Sequence, residues 1–275
     1  MNLAAYFERI GYAGPRDPTP ATLAAIANRH ALSIAFENVS VLSSGAPDLG
    51  VEAIEAKLVA ARRGGYCYEL NGLLLAALRA IGFDVVPLSA RVRYRVPPEV
   101  ATPRSHMVLC VTTRDGRMLA DAGFGGLTLT SPLRIDTVEP QETSHEALRI
   151  VHDDDGRLLQ AHLAGAWCDV YRFDFVRQQP VDYVQQNWHT ATRPGSLFGN
   201  NLVVARPSQQ GRHTLFNRTL TFRDRSGRSH RSTVATPDAL RTTLEATFGI
   251  APDEDELQRA WRVASQAAPD HPAFT

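Results

Sequence analysis

The segment Arg63-Gly64-Gly65-Tyr66-Cys67-Tyr68-Glu69-Leu70-Asn71 carries the clearest chemistry in the chain. It runs straight into an apolar stretch that stops at Gly82, so Cys67 falls at the start of a helix. Unpaired N–H groups and the positive end of the helix dipole favour a thiolate there, and the thiolate is the reactive form of cysteine. The same N–H groups can hold an oxyanion once sulfur has attacked a carbonyl. The two glycines ahead of Cys67 offer the backbone freedom to turn sharply. A lone cysteine is commonly just a small buried apolar residue, and spacing alone leaves both readings open.

A sulfur nucleophile needs a base, and His106 stands out among nine histidines. It lies in an apolar strand, Arg104-Ser105-His106-Met107-Val108-Leu109-Cys110, that turns through Arg114-Asp115-Gly116 into a second strand ending near Asp121. Such a hairpin brings His106 and Asp121 to about the same level, within a step or two of being cross-strand neighbours. The carboxylate can then fix the ring tautomer while the other nitrogen faces sulfur. Cys110 shares the His106 face, whereas Leu109 and Val111 point the other way. A structural histidine and a turn or cap aspartate fit the same pattern. Gly123, Gly125 and Gly126 follow Asp121 and permit close approach of backbone to a ligand, but they match neither a Walker nor a dinucleotide-binding fingerprint; a tight turn is the simpler reading.

Other chemistries fare worse. His145 with His152, or His162 with Cys168, lack the close pairing that zinc sites favour. Asp153-Asp154-Asp155-Gly156 lacks the distal glutamate of a calcium loop and reads as a solvated hairpin turn. No metal is expected. Three scattered cysteines, Cys67, Cys110 and Cys168, suggest no disulfide framework and a reducing compartment. A net charge of zero argues against a nucleic-acid groove. The N-terminus lacks a signal-peptide pattern and no apolar run approaches membrane-spanning length, so the expectation is a cytoplasmic protein without membrane partners.

The elements that must hold these residues change character along the chain. Residues 1–82 read as helices: a short one at Leu3 to Ile10, one opened by Thr19-Pro20, one over 51–61, and one from Tyr68 to Ile81. From Phe83 short alternating strands follow: Val85 to Tyr94, His106 to Thr112, Met118 to Asp121, Ala147 to His152, Leu158 to Leu163 and Trp167 to Phe173. This spacing suggests a barrel or sandwich. A helix at Val181 to Thr192 leads into strands at Leu202 to Ala205, Thr214 to Phe216, Thr219 to Arg223 and His230 to Val234. Thr236-Pro237 opens a helix that ends at Gly249, Pro252 starts a last one, and 267–275 reads as a frayed tail.

These residues resemble the arylamine N-acetyltransferase family across most of the chain. The run at 63–71 is similar to its signature RGG-aromatic-C-x-E-x-N. Ala35-Phe36-Glu37-Asn38 resembles its PFEN segment, with alanine for proline. His106 and Asp121-Ala122-Gly123-Phe124-Gly125 resemble its histidine strand and D-x-G-F-G segment. Trp167 to Phe173 and Ser196-Leu197-Phe198 fit later landmarks. Leu70 stands where a polar residue is common, and the lack of a long insertion resembles the bacterial branch. The resemblance implies an α+β, papain-like fold: a helical bundle (1–82) carrying Cys67, a central antiparallel β-barrel (83–190) carrying His106 and Asp121, and an α/β lid (191–275). It implies ping-pong transfer of acetyl from acetyl-CoA, through acetyl-Cys67, to an arylamine, arylhydroxylamine or hydrazine of the kind met in xenobiotic metabolism. By the same likeness Phe36, Phe124 and Phe198 line the acceptor pocket, Ser105, Gly125 and Gly126 lie along CoA, and Arg9, Glu37, Arg63 and Glu69 form a supporting ion-pair network. A macrolactam-forming amide synthase of the same fold and a cysteine hydrolase are the alternatives. The oligomeric state is open, a homodimer included.

Overall fold

Helix starts follow the capping chemistry. The computed structural model describes residues 1–154 and 156–267. Asp155 of the expected hairpin turn and residues 268–275 of the expected tail lie outside the described residues. Helix α1 (Leu3–Ile10) precedes α2 (Pro20–Ser33), where the Thr19 hydroxyl accepts the Thr22 N–H at 3.2 Å and proline occupies the first position. A cap of this kind stabilises a helix by about 1 kcal/mol. Strand β1 (Phe36–Glu37), α3 (Val39–Ser44) and α4 (Val51–Glu55) follow. The helix expected over 51–61 ends in a π turn, Ala56–Ala60. Helix α5 (Cys67–Ile81) is stopped by Gly82, whose φ of 103° is open to glycine at no steric cost. Its Leu70, Leu73, Leu74, Ala77 and Leu78 join Tyr6, Phe7, Leu23 and Ile26 in the first core.

Seven strands come next: β2 (Asp84–Val92), β3 (Arg104–Thr113), β4 (Gly116–Ala120), β5 (Leu133–Arg134), β6 (Leu148–Asp153), β7 (Gly156–Leu163) and β8 (Ala166–Phe173). They form one antiparallel sheet in the order β5-β4-β3-β2-β8-β7-β6. The sheet curls until its edges nearly meet, and Gln141 spans the gap. Its side chain bonds the backbone of Arg134 at 2.8 and 2.9 Å, while its backbone pairs with Leu148. The expected barrel is therefore present as a nearly closed one. Strand β3 alternates cleanly: Val108 and Cys110 enter the barrel core, while Met107, Leu109 and Val111 pack on the helices.

The remaining elements are α6 (Pro180–Thr192), α7 (Leu197–Asn200), β9 (Val203–Pro207), β10 (Gly211–Phe216), β11 (Thr219–Asp224), β12 (Ser229–Thr233), α8 (Pro237–Thr243) with a π turn at Leu244–Phe248, and α9 (Glu254–Gln266). Strands β9 to β12 make a second antiparallel sheet, to which β1 is added at the edge of β9. The chain thus returns to its beginning, and Ala35, Val39 and Leu42 share a core with Leu202, Leu240 and Leu257.

Candidate active site

Cys67 is the first residue of α5, and the adjoining chain explains why it can sit there. Tyr66 precedes it in extended conformation, and the Glu69 carboxylate accepts the Tyr66 N–H at 3.1 Å. Gly64 and Gly65 are needed for space, not for the turn expected from the sequence. A Cβ on Gly64 would come within 2.4 Å of the Ala35 carbonyl oxygen, and neither glycine has positive φ.

His106 reaches the sulfur from β3. Its Nε2 is 2.7 Å from Asp121 Oδ2, which leaves Nδ1 for Cys67. Strand pairing stops at Leu109 opposite Ala120, so Asp121 stands just beyond β4, diagonal to His106. All three residues are buried. Burial alone would lower the imidazole pKa. The Asp121 charge and hydrogen bond, with a further hydrogen bond to Cys67, more than offset it and raise the pKa to about 10. Asp121 is held below the usual carboxylate range: burial acts against this, but the His106 charge and hydrogen bonds from His106, Asn71 and the Gly123 N–H prevail.

Asn71 is the residue whose role the sequence reading missed. One helical turn beyond Cys67, its amide donates to Met107 O at 2.7 Å and Asp121 Oδ1 at 2.9 Å, and accepts the Ala122 N–H at 2.8 Å. It locks the helix, the histidine strand and the aspartate loop together. The i, i+4 spacing from Cys67 was the available signal. Gly123 completes the junction, since a Cβ there would lie 2.8 Å from Cys67 Cα.

Above the sulfur opens a cavity of about 310 Å³ lined by Phe36, Phe124, Phe198, Ser105 and Gly126. Gly125 is not brought to it; its φ is 79°, and a Cβ there would meet the Phe36 ring at 3.6 Å. Phe36 and Phe198 pack at 5.6 Å between centroids, and Phe124 stands edge-on to His106 at 5.1 Å. Tyr171 backs both His106 and Phe124, a contact with no sequence signal. Asn38 positions Phe198 from beneath: its amide donates to the carbonyls of Phe198 and Asn201, each at 2.7 Å, and accepts the Val203 N–H at 2.7 Å. Arg95, Arg193, Arg212, Arg223 and Arg231 also line the cavity, and among the described residues no carboxylate does.

The expected four-residue ion network is not formed. Arg9 binds the backbone carbonyls of Leu58, Ser33, Arg62 and Arg63, and among the described residues no carboxylate pairs with its buried guanidinium. Arg63 instead bridges Glu37 at 3.3 Å and Glu256 of α9 at 2.6 Å, and Glu69 pairs separately with Lys57 at 2.7 Å. Asp153 and Asp154 pair with Arg172. Among the described residues no cluster of three metal-ligating side chains occurs and no helix is long and apolar enough to cross a membrane.

Comparison with known proteins agrees with this geometry. The family model described as N-acetyltransferase matches residues 19–257. An arylamine N-acetyltransferase of Mycolicibacterium smegmatis is 39% identical over 91% of this chain and 92% of its own length. The arylamine N-acetyltransferase / N-hydroxyarylamine O-acetyltransferase of Salmonella typhimurium is 37% identical over 90% and 88%. The Mycobacterium marinum arylamine N-acetyltransferase solved in complex with CoA superposes with a TM-score of 0.91 at 35% identity, covering 95% of this chain and 99% of that one.

Proposed function

Because this chain belongs to the arylamine N-acetyltransferase family and is an acyltransferase, we propose that it carries acetyl from acetyl-CoA to an arylamine, arylhydroxylamine or hydrazine through an acetyl-cysteine at Cys67. The observation that carries this reading is a helix-start sulfur beneath an aromatic cavity, beside an imidazole that Asp121 holds at 2.7 Å.

Burial disfavours the His106 imidazolium, but the Asp121 charge and hydrogen bond outweigh it, and an adjacent imidazolium favours the thiolate form of a cysteine. The thiolate adds to the thioester carbonyl, and the N–H groups at the start of α5 face the oxyanion that forms. As the carbon–sulfur bond to CoA breaks, the departing thiolate takes the His106 proton. CoA leaves, and an amine enters against Phe36, Phe124 and Phe198. It attacks the acetyl carbon, His106 accepts the proton that nitrogen releases, and Cys67 departs as thiolate. The arginine-rich lining complements the phosphates of CoA, which the Mycobacterium marinum relative binds.

The test is intact-protein mass spectrometry after mixing with acetyl-CoA alone. One acetyl group should appear, on the Cys67 peptide, and should transfer on adding 4-anisidine or a hydrazide. Cys67→Ala should remove both steps. Acetylation of the amine at the native rate by Cys67→Ala would sink the reading.

A further inference from the structure

The chain has twenty-eight arginines and a single lysine, Lys57. That lysine lies in the π turn after α4, a geometry that recurs at functional sites. Its backbone carbonyl accepts the Arg63 N–H at 3.0 Å, tying the turn to the segment that leads to Cys67. Its ammonium donates at 2.7 Å to Ser40 Oγ and at 2.7 Å to Glu69 Oε1. The Glu69 side chain is 1% exposed, and its second oxygen holds the Tyr66 N–H immediately before the nucleophile. There is no slack around this carboxylate: a Cβ on Gly65 would come within 2.9 Å of Glu69 Oε2.

We propose that Lys57 is a positioning residue for acyl transfer: by pairing with the buried carboxylate of Glu69 it fixes the start of α5 and presents the Cys67 sulfur. The pair acts through the helix entrance and does not touch substrate. Burial raises the Glu69 pKa, Lys57 and the Tyr66 N–H counter this, and the nearby Glu37 charge adds to the rise. Without Lys57 the carboxylate has two states. Protonated, it is a weaker acceptor for the Tyr66 N–H; ionised, it is an unpaired negative charge at the helix entrance, where the thiolate must form. Acylation slows either way, and the exchange between the two states enters the pH–rate profile.

This inference rests on Cys67 as the nucleophile, and the experiment separates the two. The burst of p-nitrophenol from p-nitrophenyl acetate is followed from pH 5.5 to 9 for the full chain and for Lys57→Met, Glu69→Gln and the double variant. Lys57→Met should acylate roughly tenfold more slowly at neutral pH and gain a titration step that the full chain lacks, because removing the ammonium raises the buried Glu69 carboxyl further. Adding Glu69→Gln should remove that step and restore most of the rate, because a neutral amide still accepts the Tyr66 N–H and needs no counter-charge. A merely structural lysine predicts the opposite, a double variant slower than either single one. If Lys57→Met does not fold, a folded, active double variant supports the pairing role, and a double variant that stays inactive overturns it. A Lys57→Met burst with native rate and pH profile also overturns it and leaves Cys67 untouched, whereas failure of the native chain to acetylate Cys67 removes the underlying reading instead.

Discussion

Replacing Asn71 by alanine removes one amide and three hydrogen bonds at a fully buried position. The losses are unequal. Among the described residues the Ala122 N–H has no other acceptor, and it bears the full penalty of an unsatisfied buried donor, about 1–3 kcal/mol. Asp121 Oδ1 keeps the Gly123 N–H at 2.9 Å, and Met107 O remains in a paired strand, so each of these costs about 1 kcal/mol. The sum is roughly 3–5 kcal/mol, a large part of the ~5–15 kcal/mol that holds a domain together. For a chain of this size, that corresponds to roughly 10 °C in melting temperature. The catalytic effect should exceed what partial unfolding explains at 25 °C. Asp121 loses a bond that keeps it ionised and placed, His106 loosens, and acetylation of Cys67 should fall by about tenfold to a hundredfold. Calorimetry and burst kinetics on the same preparation measure both effects. If Asn71→Ala melts within 2 °C of native, or acetylates at the native rate while folded, the reasoning about this junction is wrong.

The His106–Asp121 pair should also shape stability against pH. The His106 arm, with its pKa raised from 6.5 to about 10, stabilises fully below 6.5 and is lost as pH rises through 10. The Asp121 arm, lowered from 3.8, is present above that value and fades as pH falls below it. Melting temperature should therefore peak between about pH 4 and 6.5, and Asp121→Asn should flatten the alkaline decline; an unchanged alkaline limb in that variant would contradict the pairing. Gly123→Ala should destabilise by about 1–3 kcal/mol and slow acetylation, because its methyl would sit 2.8 Å from Cys67 Cα. A native-like melting curve and burst rate for that variant would show that the loop can retreat from α5.

Much of the site was legible before any fold. Cys67 at a helix entrance follows from an apolar run bounded by glycines. The closeness of His106 and Asp121 follows from one hairpin, whose two-residue alternation fixes which side chains share a face. Caps at Thr19 and Thr236 mark helix starts through local hydrogen bonds that need no distant partner. Several misses depend on distant chain. Strands β1 and β5 have two residues each, too few for periodicity, and exist because β9 and β4 offer unpaired edges. The family resemblance implies an ion-pair role for Arg9, yet it lies among carbonyls, and Glu256 reaches Arg63 across 193 positions of sequence.

Residue type and local spacing supplied the candidates, a cysteine at a helix start with a histidine and an aspartate in one hairpin, and the family resemblance joined them into the proposed sulfur chemistry. Tertiary structure decided what holds and surrounds it, namely the three-way bond of Asn71, the Lys57–Glu69 pair, the Asn38 clamp under Phe198 and the five arginines of the cavity. The physical reason is range. Helix dipoles, caps and strand alternation act over a few residues and are written in the local pattern. Buried hydrogen bonds and ion pairs join whatever packing brings within 3 Å, and that depends on every core at once.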